Sequence, residues 1–141
     1  MRPSLLIADA DESLAELYQR FFVDHGYRVA TATTGLECLH TLRAFAPDIL
    51  ILDQELPWGG GDGVLALMRR EPNLAAIPVI YQVAGPRPGL IAPPVVAWLL
   101  KPVRLRELVE KVNYATVRLR EQLVRSCPAP EHAEAGLLHA T

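Results

Sequence analysis

The stretch that decides the fold is Pro47-Asp48-Ile49-Leu50-Ile51-Leu52-Asp53-Gln54-Glu55-Leu56-Pro57, residues 47–57. Its centre is the most uniformly aliphatic run of the chain, which is typical of a central strand buried on both faces of a parallel sheet. Asp53 follows this run directly, so its carboxylate is expected at the carboxyl edge of the sheet. In doubly wound sheets ligands bind at that edge, because loops and helix N-termini converge there.

Apolar runs of strand length alternate with segments of helical period on both sides of this strand. That alternation predicts βαβ units around a parallel sheet, and therefore an α/β fold. The five predicted strands cover residues 5–8, 27–31, 49–52, 79–83 and 95–100.

Short signals mark the boundaries of the predicted helices. Asp11 and a Ser13-x-x-Glu16 capping box begin the first helix, and Gly26 ends it. A Thr34-x-x-Glu37 capping box begins the second helix, a glycine-rich turn at 59–63 leads into the third, and a long helical pattern covers 104–125. Four prolines in the nine residues 86–94 predict that the helix between strands four and five is reduced or missing.

Composition limits the classes of protein that this chain can be. Its 141 residues are 50% hydrophobic, as in one globular domain, which we assign to residues 1–125 with a flexible tail at 126–141. The net charge of −2 argues against direct binding to nucleic acid. Cys38 and Cys127 have no metal-binding or disulfide pattern, and there is no signal peptide or apolar stretch of about 20 residues. We therefore expect a cytoplasmic protein that does not enter the membrane.

Three charged residues directly follow the predicted strands one, three and five: Asp9, Asp53 and Lys101. Because parallel strands end at the same edge of a sheet, these side chains are expected in one pocket. Two carboxylates can bind a hard cation such as Mg²⁺, and a lysine can bind a phosphoryl group. Each residue also has a simpler interpretation: Asp9 could cap the first helix, Asp53 could cap a turn, and Lys101 could be a solvated lysine.

The ordered motifs resemble the receiver domain of bacterial two-component response regulators, over residues 4 to about 120. The matching segments are Leu5-Leu6-Ile7-Ala8-Asp9, residues 47–57, Pro78-Val79-Ile80 and Trp98-Leu99-Leu100-Lys101-Pro102. The resemblance implies a flavodoxin-like, doubly wound sheet of five parallel strands in the order 2-1-3-4-5.

The resemblance also implies a role for each residue of the site. It implies Asp53 as the phosphoacceptor, and Lys101 and the backbone N–H of Ala84 as phosphoryl contacts. It further implies a Mg²⁺ site formed by Asp9, Asp53 and the backbone carbonyl of Glu55, and a cis peptide bond before Pro102.

The sequence departs from the family pattern at several positions. Ala10 stands where an acidic metal ligand is usual, so weak Mg²⁺ binding is expected. Val83 stands where a Thr or Ser hydroxyl usually contacts the phosphoryl group and moves on activation. Trp98 stands at the switch aromatic but could equally be a core residue. The glycine turn at 59–63 has its last glycine two residues later than the family pattern. This turn and the proline stretch alter the face through which receivers signal.

Two main hypotheses for function follow. In the first, the chain is a phosphorelay receiver rather than an enzyme: a histidine kinase or phosphotransfer protein phosphorylates Asp53, and a downstream protein partner responds. In the second, it is a degenerate receiver that acts as a phosphorylation-independent interaction module. A third, more distant hypothesis is a small-ligand binder that uses the glycine turn. The apolar stripe along the last helix adds the expectation of a homodimer formed through that helix.

Overall fold

The computed structural model describes residues 2–85 and 92–126, which form one five-stranded parallel sheet with helices on both faces. The strands are β1 (Ser4–Ala8), β2 (Arg28–Ala32), β3 (Ile49–Asp53), β4 (Val79–Val83) and β5 (Val95–Leu100). The helices are α1 (Glu12–Asp24), α2 (Gly35–Phe45), α3 (Gly60–Arg70), α4 (Pro72–Ala75) and α5 (Leu105–Ser126). The strand order is β2-β1-β3-β4-β5, which confirms the predicted flavodoxin-like topology.

The central strand β3 is buried along its whole length because it contributes to both cores. Ile49 and Ile51 pack with α1 and α5, whereas Leu50 and Leu52 pack with α2 and α3. Full burial of such a side chain contributes roughly 1.5–3 kcal/mol to folding. The alternation of side chains along β3 places Asp53 on the same face as Ile51, where the core formed with α1 and α5 reaches the carboxyl edge of the sheet.

The helix starts agree only in part with the predicted capping signals. Thr34 caps α2 as predicted, since its hydroxyl accepts the N–H of Glu37 at 3.1 Å. The predicted Ser13-x-x-Glu16 box is wrong, because α1 begins at Glu12 and its N-cap is Asp11, whose carboxylate accepts the N–H of Leu14 at 3.1 Å. A short polar side chain with extended backbone directly before the helix outcompetes a serine that lies within its first turn.

Two other predictions concern the segments around β5. The described residues 84–85 and 92–94 are not helical, and the rest of the predicted change to the fourth helix lies at 86–91, outside the described residues. Helix α5 includes Ser126, the first residue assigned to the tail, and residues 127–141 lie outside the described residues. In 2–85 and 92–126, no helix has the length and apolar character needed to cross a bilayer.

The apolar stripe of α5 changes character along the helix. Its first half contributes Leu108, Val112 and Ala115 to the core. Beyond the sheet, Leu123 and Val124 are exposed. The expected homodimer through this helix stays a prediction.

Candidate functional site

The carboxyl edge of the sheet brings Asp53 and Lys101 into direct contact. The Nζ of Lys101 lies 2.7 Å from Oδ1 of Asp53, which is completely buried. Because β4 lies between β3 and β5, the lysine side chain must cross β4 to reach the aspartate. The simpler interpretation of Lys101 as a solvated lysine is therefore wrong. The Lys101–Pro102 peptide bond is cis.

Both oxygens of the Asp53 carboxylate accept hydrogen bonds. Oδ1 accepts the backbone N–H of Glu55 at 2.9 Å in addition to the bond from Lys101, and Oδ2 accepts the backbone N–H of Ala10 at 3.2 Å. Such charge-assisted bonds are among the stronger hydrogen bonds in proteins. They fix the orientation of the carboxylate at the end of β3.

Asp9 lies beside Asp53 and has one oxygen without a hydrogen-bond donor. Its Oδ1 accepts the N–H of Asp11 at 2.9 Å, whereas its buried Oδ2 has no partner among the described residues. Burial raises the pKa of Asp9 above its ordinary value, and the neighbouring charge of Asp53 raises it further, against the opposing effect of the Asp11 amide. A buried carboxylate oxygen without a donor is a suitable ligand for a cation.

The residues present fit a Mg²⁺ ion. Asp9 and Asp53 supply carboxylates, and the backbone carbonyl of Glu55 would complete the set. Ala10 has no side-chain oxygen, and the carboxylate of Asp11 is used to cap α1. Within 2–85 and 92–126, no three His, Cys, Asp or Glu side chains are grouped so as to hold a metal. Mg²⁺ usually keeps several water ligands, so two carboxylates can suffice.

The ammonium group of Lys101 stays charged in this environment. Burial lowers its pKa, but the hydrogen bond and the charge of Asp53 outweigh that effect and raise the pKa overall. Its Nζ also lies 3.4 Å from Oε1 of Glu55. Lys101 therefore supplies a fixed positive charge between two carboxylates.

The end of β4 has no side-chain hydroxyl at Val83, but the side chain of Gln54, the residue directly after β3, reaches the adjoining Ala84. Val83 is completely buried, and its methyl groups can form no hydrogen bond. The next residue, Ala84, donates its backbone N–H to Oε1 of Gln54 at 3.4 Å. Sequence reasoning missed Gln54, since nothing in its spacing indicated which way the side chain turns.

Gln82 is a second polar residue that sequence reasoning missed. It pairs in register with Asp53, is only 2% exposed, and its Nε2 has no hydrogen-bond partner among the described residues. The sequence signal that could have found it is a lone amide in the apolar run 79–83, two residues after Ile80. Because side chains alternate along a strand, this spacing places Gln82 on the same face of the sheet as Ile80, which is the face that carries Asp53.

The glycine run is not an open loop, because Gly60 to Gly63 form the first turn of α3. The glycine that the packing requires is Gly61: a Cβ there would lie 2.7 Å from the carbonyl oxygen of Asp53 and 2.7 Å from Cε1 of Tyr81. A Cβ on Gly63 would meet nothing within 4 Å. The tight contact thus falls two residues earlier than the last glycine of the run. The hydroxyl of Tyr81 is hydrogen-bonded to the carboxylate of Asp62, which ties this turn to β4.

Two tryptophans near the site differ in their surroundings. Trp98 is partly buried and packs against the core formed with α2 and α3, in register with Tyr81 on β4. Its core interpretation is supported, and its role as a switch residue stays a prediction. Trp58 is 72% exposed in the loop before α3 and has a left-handed backbone, with φ of 62°.

Comparison with known proteins gives a consistent result. The family model of the response regulator receiver domain matches residues 5–113. The chain is 31% identical over 121 residues to the response regulator SaeR of Staphylococcus aureus, which is 83% of this chain and 52% of SaeR. It is 34% identical over 134 residues to a Haloferax volcanii protein, of which it covers only 23%. The chain thus spans about half or less of these curated relatives.

Solved structures agree with the sequence matches. The signal receiver domain of a Vibrio parahaemolyticus protein superposes with a TM-score of 0.79 at 25% identity, covering 90% of this chain and 99% of that one. The receiver domain of the Francisella response regulator 1452 gives a TM-score of 0.72 at 25% identity, covering 83% and 98% respectively.

Proposed function

This chain belongs to the response regulator receiver family, and from that membership we propose that Asp53 accepts a phosphoryl group from a histidine kinase or a phosphotransfer protein. The observation that carries the proposal is the bond from Lys101 to a buried aspartate whose two oxygens are also held by backbone amides. Receiver domains are signalling domains of two-component systems rather than classical enzymes.

The proposed transfer is a displacement at phosphorus. A carboxylate oxygen of Asp53 forms a P–O bond as the P–N bond of a phosphohistidine breaks, and the released imidazole nitrogen keeps the electron pair and takes up a proton. Lys101 stays protonated and balances the negative charge that gathers on the phosphoryl oxygens. Bound Mg²⁺ would supply further neutralisation of the negative charge during the transfer.

In the proposed receiver, Asp9, Asp53 and the carbonyl of Glu55 would hold the metal. Lys101 and the backbone N–H of Ala84 bind the phosphoryl oxygens. The expected consequence of phosphorylation is a change at the end of β4 that a downstream protein recognises.

Two residues favour an alternative function as a phosphorylation-independent interaction module. Ala10 removes a metal ligand, and Val83 removes the hydroxyl that couples phosphorylation to a conformational change in the family. A hydrogen bond to a charged group is worth about 1.5–3 kcal/mol, so a receiver without it has a weaker driving force for switching.

The first experiment is intact-mass spectrometry after incubation with acetyl phosphate and Mg²⁺. We expect a phosphoryl adduct on the wild-type chain and none on Asp53→Asn. The matched control is Asp48→Asn, which changes an aspartate at the opposite end of β3 that bonds Ser4 and should leave the adduct intact. If a folded wild-type chain forms no adduct, the phosphorylation-independent function replaces the proposed one.

A further inference from the structure

We propose that Gln54 supplies the side-chain hydrogen bond to the phosphoryl group that Val83 cannot supply. Gln54 would act as a phosphoryl-binding residue at the end of β4, although it follows the end of β3. This inference rests on the proposed function of Asp53 and adds a residue to the same site.

The backbone of Gln54 is fixed on both sides, so its side chain starts from a defined position. Its N–H donates to the carbonyl of Gln82 at 2.9 Å, and its own carbonyl accepts the N–H of Gly61 at 3.0 Å. From there the half-buried side chain crosses to β4, where Oε1 lies 3.4 Å from the backbone nitrogen of Ala84. Gln54 therefore bridges the phosphoacceptor strand and the strand that lacks the hydroxyl.

In the proposed function the backbone N–H of Ala84 binds the phosphoryl group, so the contact with Ala84 places the Gln54 amide next to a group that binds it. The 3.4 Å bond is long, and the ideal N–H···O distance is about 2.9–3.0 Å, so breaking it costs little. Rotation of the terminal torsion, which is broad and roughly two-fold, exchanges Oε1 for Nε2. After that rotation, Nε2 and the released N–H of Ala84 both face the phosphoryl oxygens as donors.

Three other donors of the site are already engaged with carboxylates. Lys101 contacts both Asp53 and Glu55, and the amides of Ala10 and Glu55 donate to the Asp53 carboxylate. Val83 is buried and has no donor. A phosphoryl group brings three strong acceptor oxygens, so the carboxamide donor of Gln54 beside Ala84 has a clear role.

The experiment measures equilibrium binding of beryllofluoride with Mg²⁺, an analogue of the phosphoryl group, by tryptophan fluorescence. Gln54→Leu removes the donor and should weaken binding about tenfold or more. Gln54→Glu keeps the shape but places a negative charge beside the anion, and should weaken binding further. Gln122→Leu, an exposed glutamine on α5, is the matched control and should bind as the wild type does.

The decisive variant is the double substitution Gln54→Leu with Val83→Thr. If Gln54 supplies the bond that Val83 lacks, the threonine hydroxyl should restore most of the lost affinity. A second readout is the NMR signal of the Gln54 side-chain NH₂ in the wild type, which should shift when beryllofluoride binds.

Unchanged affinity in Gln54→Leu, together with an NH₂ signal that does not move, would overturn the role of Gln54 while leaving Asp53 as the phosphoacceptor. Loss of affinity that Val83→Thr does not restore would also overturn it, because a general structural defect explains that result better. Absence of any binding or acetyl phosphate adduct on the wild type would instead reject the proposed function itself.

Discussion

The site has two halves that differ in which kind of hydrogen-bonding group lacks a partner among the described residues, an acceptor or a donor. The acceptor half consists of Asp9 and Asp53 at the ends of β1 and β3, and the donor half consists of Gln82, Val83 and Ala84 at the end of β4. In the acceptor half, the Asp53 carboxylate accepts three hydrogen bonds from Lys101, Glu55 and Ala10, whereas Oδ2 of Asp9 has no donor among the described residues. In the donor half, the N–H of Ala84 has only the 3.4 Å bond to Gln54, and Nε2 of Gln82 has no partner among the described residues.

This difference teaches which changes should affect folding and which should affect only the phosphorylated state. The phosphoacceptor is held in place before any ligand arrives, so distortion of the backbone around it should cost stability directly. The donor half is incompletely paired, so its groups gain partners only when a phosphoryl group is present. Variants in each half can therefore test the comparison.

The largest expected effect comes from Gly61→Ala, which breaks the support of the acceptor half. Its Cβ would lie 2.7 Å from the carbonyl oxygen of Asp53 and 2.7 Å from the ring of Tyr81. Because a backbone oxygen cannot move aside cheaply, we expect a loss of roughly 3 kcal/mol in the free energy of unfolding. Urea denaturation monitored by circular dichroism measures this loss as a lower midpoint at constant slope.

Gly63→Ala is the matched control for that substitution, since both glycines lie in α3. A Cβ at position 63 meets nothing within 4 Å, and alanine favours a helix interior over glycine by about 0.5–1 kcal/mol. We expect the two variants to shift the midpoint in opposite directions. Equal shifts would mean that the close packing around Asp53 does not contribute to stability.

The contrast between these glycines also shows what the sequence could not reveal. The residues 59–63 are nearly all glycine, so local pattern does not determine where α3 begins or which glycine meets a neighbour. The sequence therefore marks only the end of the run, and by that measure Gly63 lies two residues later than the family pattern. The contact at Gly61 depends on how closely α3 approaches β3 and Tyr81, which is a tertiary distance.

Other parts of the site follow from the sequence for a simple geometric reason. Asp9 and Asp53 directly follow apolar runs, and parallel strands end at one edge, so their meeting was predictable. The contact of Gln54 with Ala84 depends on side-chain torsions between two loops, which periodicity does not encode. Gln82 is predictable only in part. The alternation of side chains along β4 indicates that its side chain points inward, but not that its amide lacks a partner.

Asp9→Asn should stabilise the metal-free chain, and this sharpens the view of the acceptor half as a site built for a cation. The folded-state pKa of Asp9 is raised above its ordinary value of 3.8, chiefly by burial. The folded chain therefore binds the proton more tightly than the unfolded chain, and stability falls as the pH rises from about 3.8 through the folded pKa. Without Mg²⁺ at pH 7, we expect a gain of about 2 kcal/mol for the asparagine variant.

The measurement is urea denaturation from pH 4 to pH 7 in the presence of EDTA, followed by the same series with Mg²⁺. The wild type should lose stability with rising pH in EDTA, and Asp9→Asn should lose less. Mg²⁺ should stabilise the wild type more than the variant, because the variant lacks a carboxylate ligand. If Asp9→Asn loses stability with rising pH more steeply than the wild type, then the buried carboxylate of Asp9 is not the cause of the pH dependence.

The smallest expected effect comes from Gln82→Leu, which tests whether the donor half is incompletely paired. Gln82 is buried beside Asp53 and its Nε2 has no partner in the described part of the chain. Replacing a buried, unsatisfied amide by an apolar side chain of similar size should raise the free energy of unfolding by about 1 kcal/mol. Gln54→Leu is the control, because Gln54 is half-buried and its amide oxygen already accepts the N–H of Ala84, so no comparable gain is expected. If Gln82→Leu instead lowers the stability, then Gln82 has a favourable interaction in the resting chain, and the donor half is not incompletely paired.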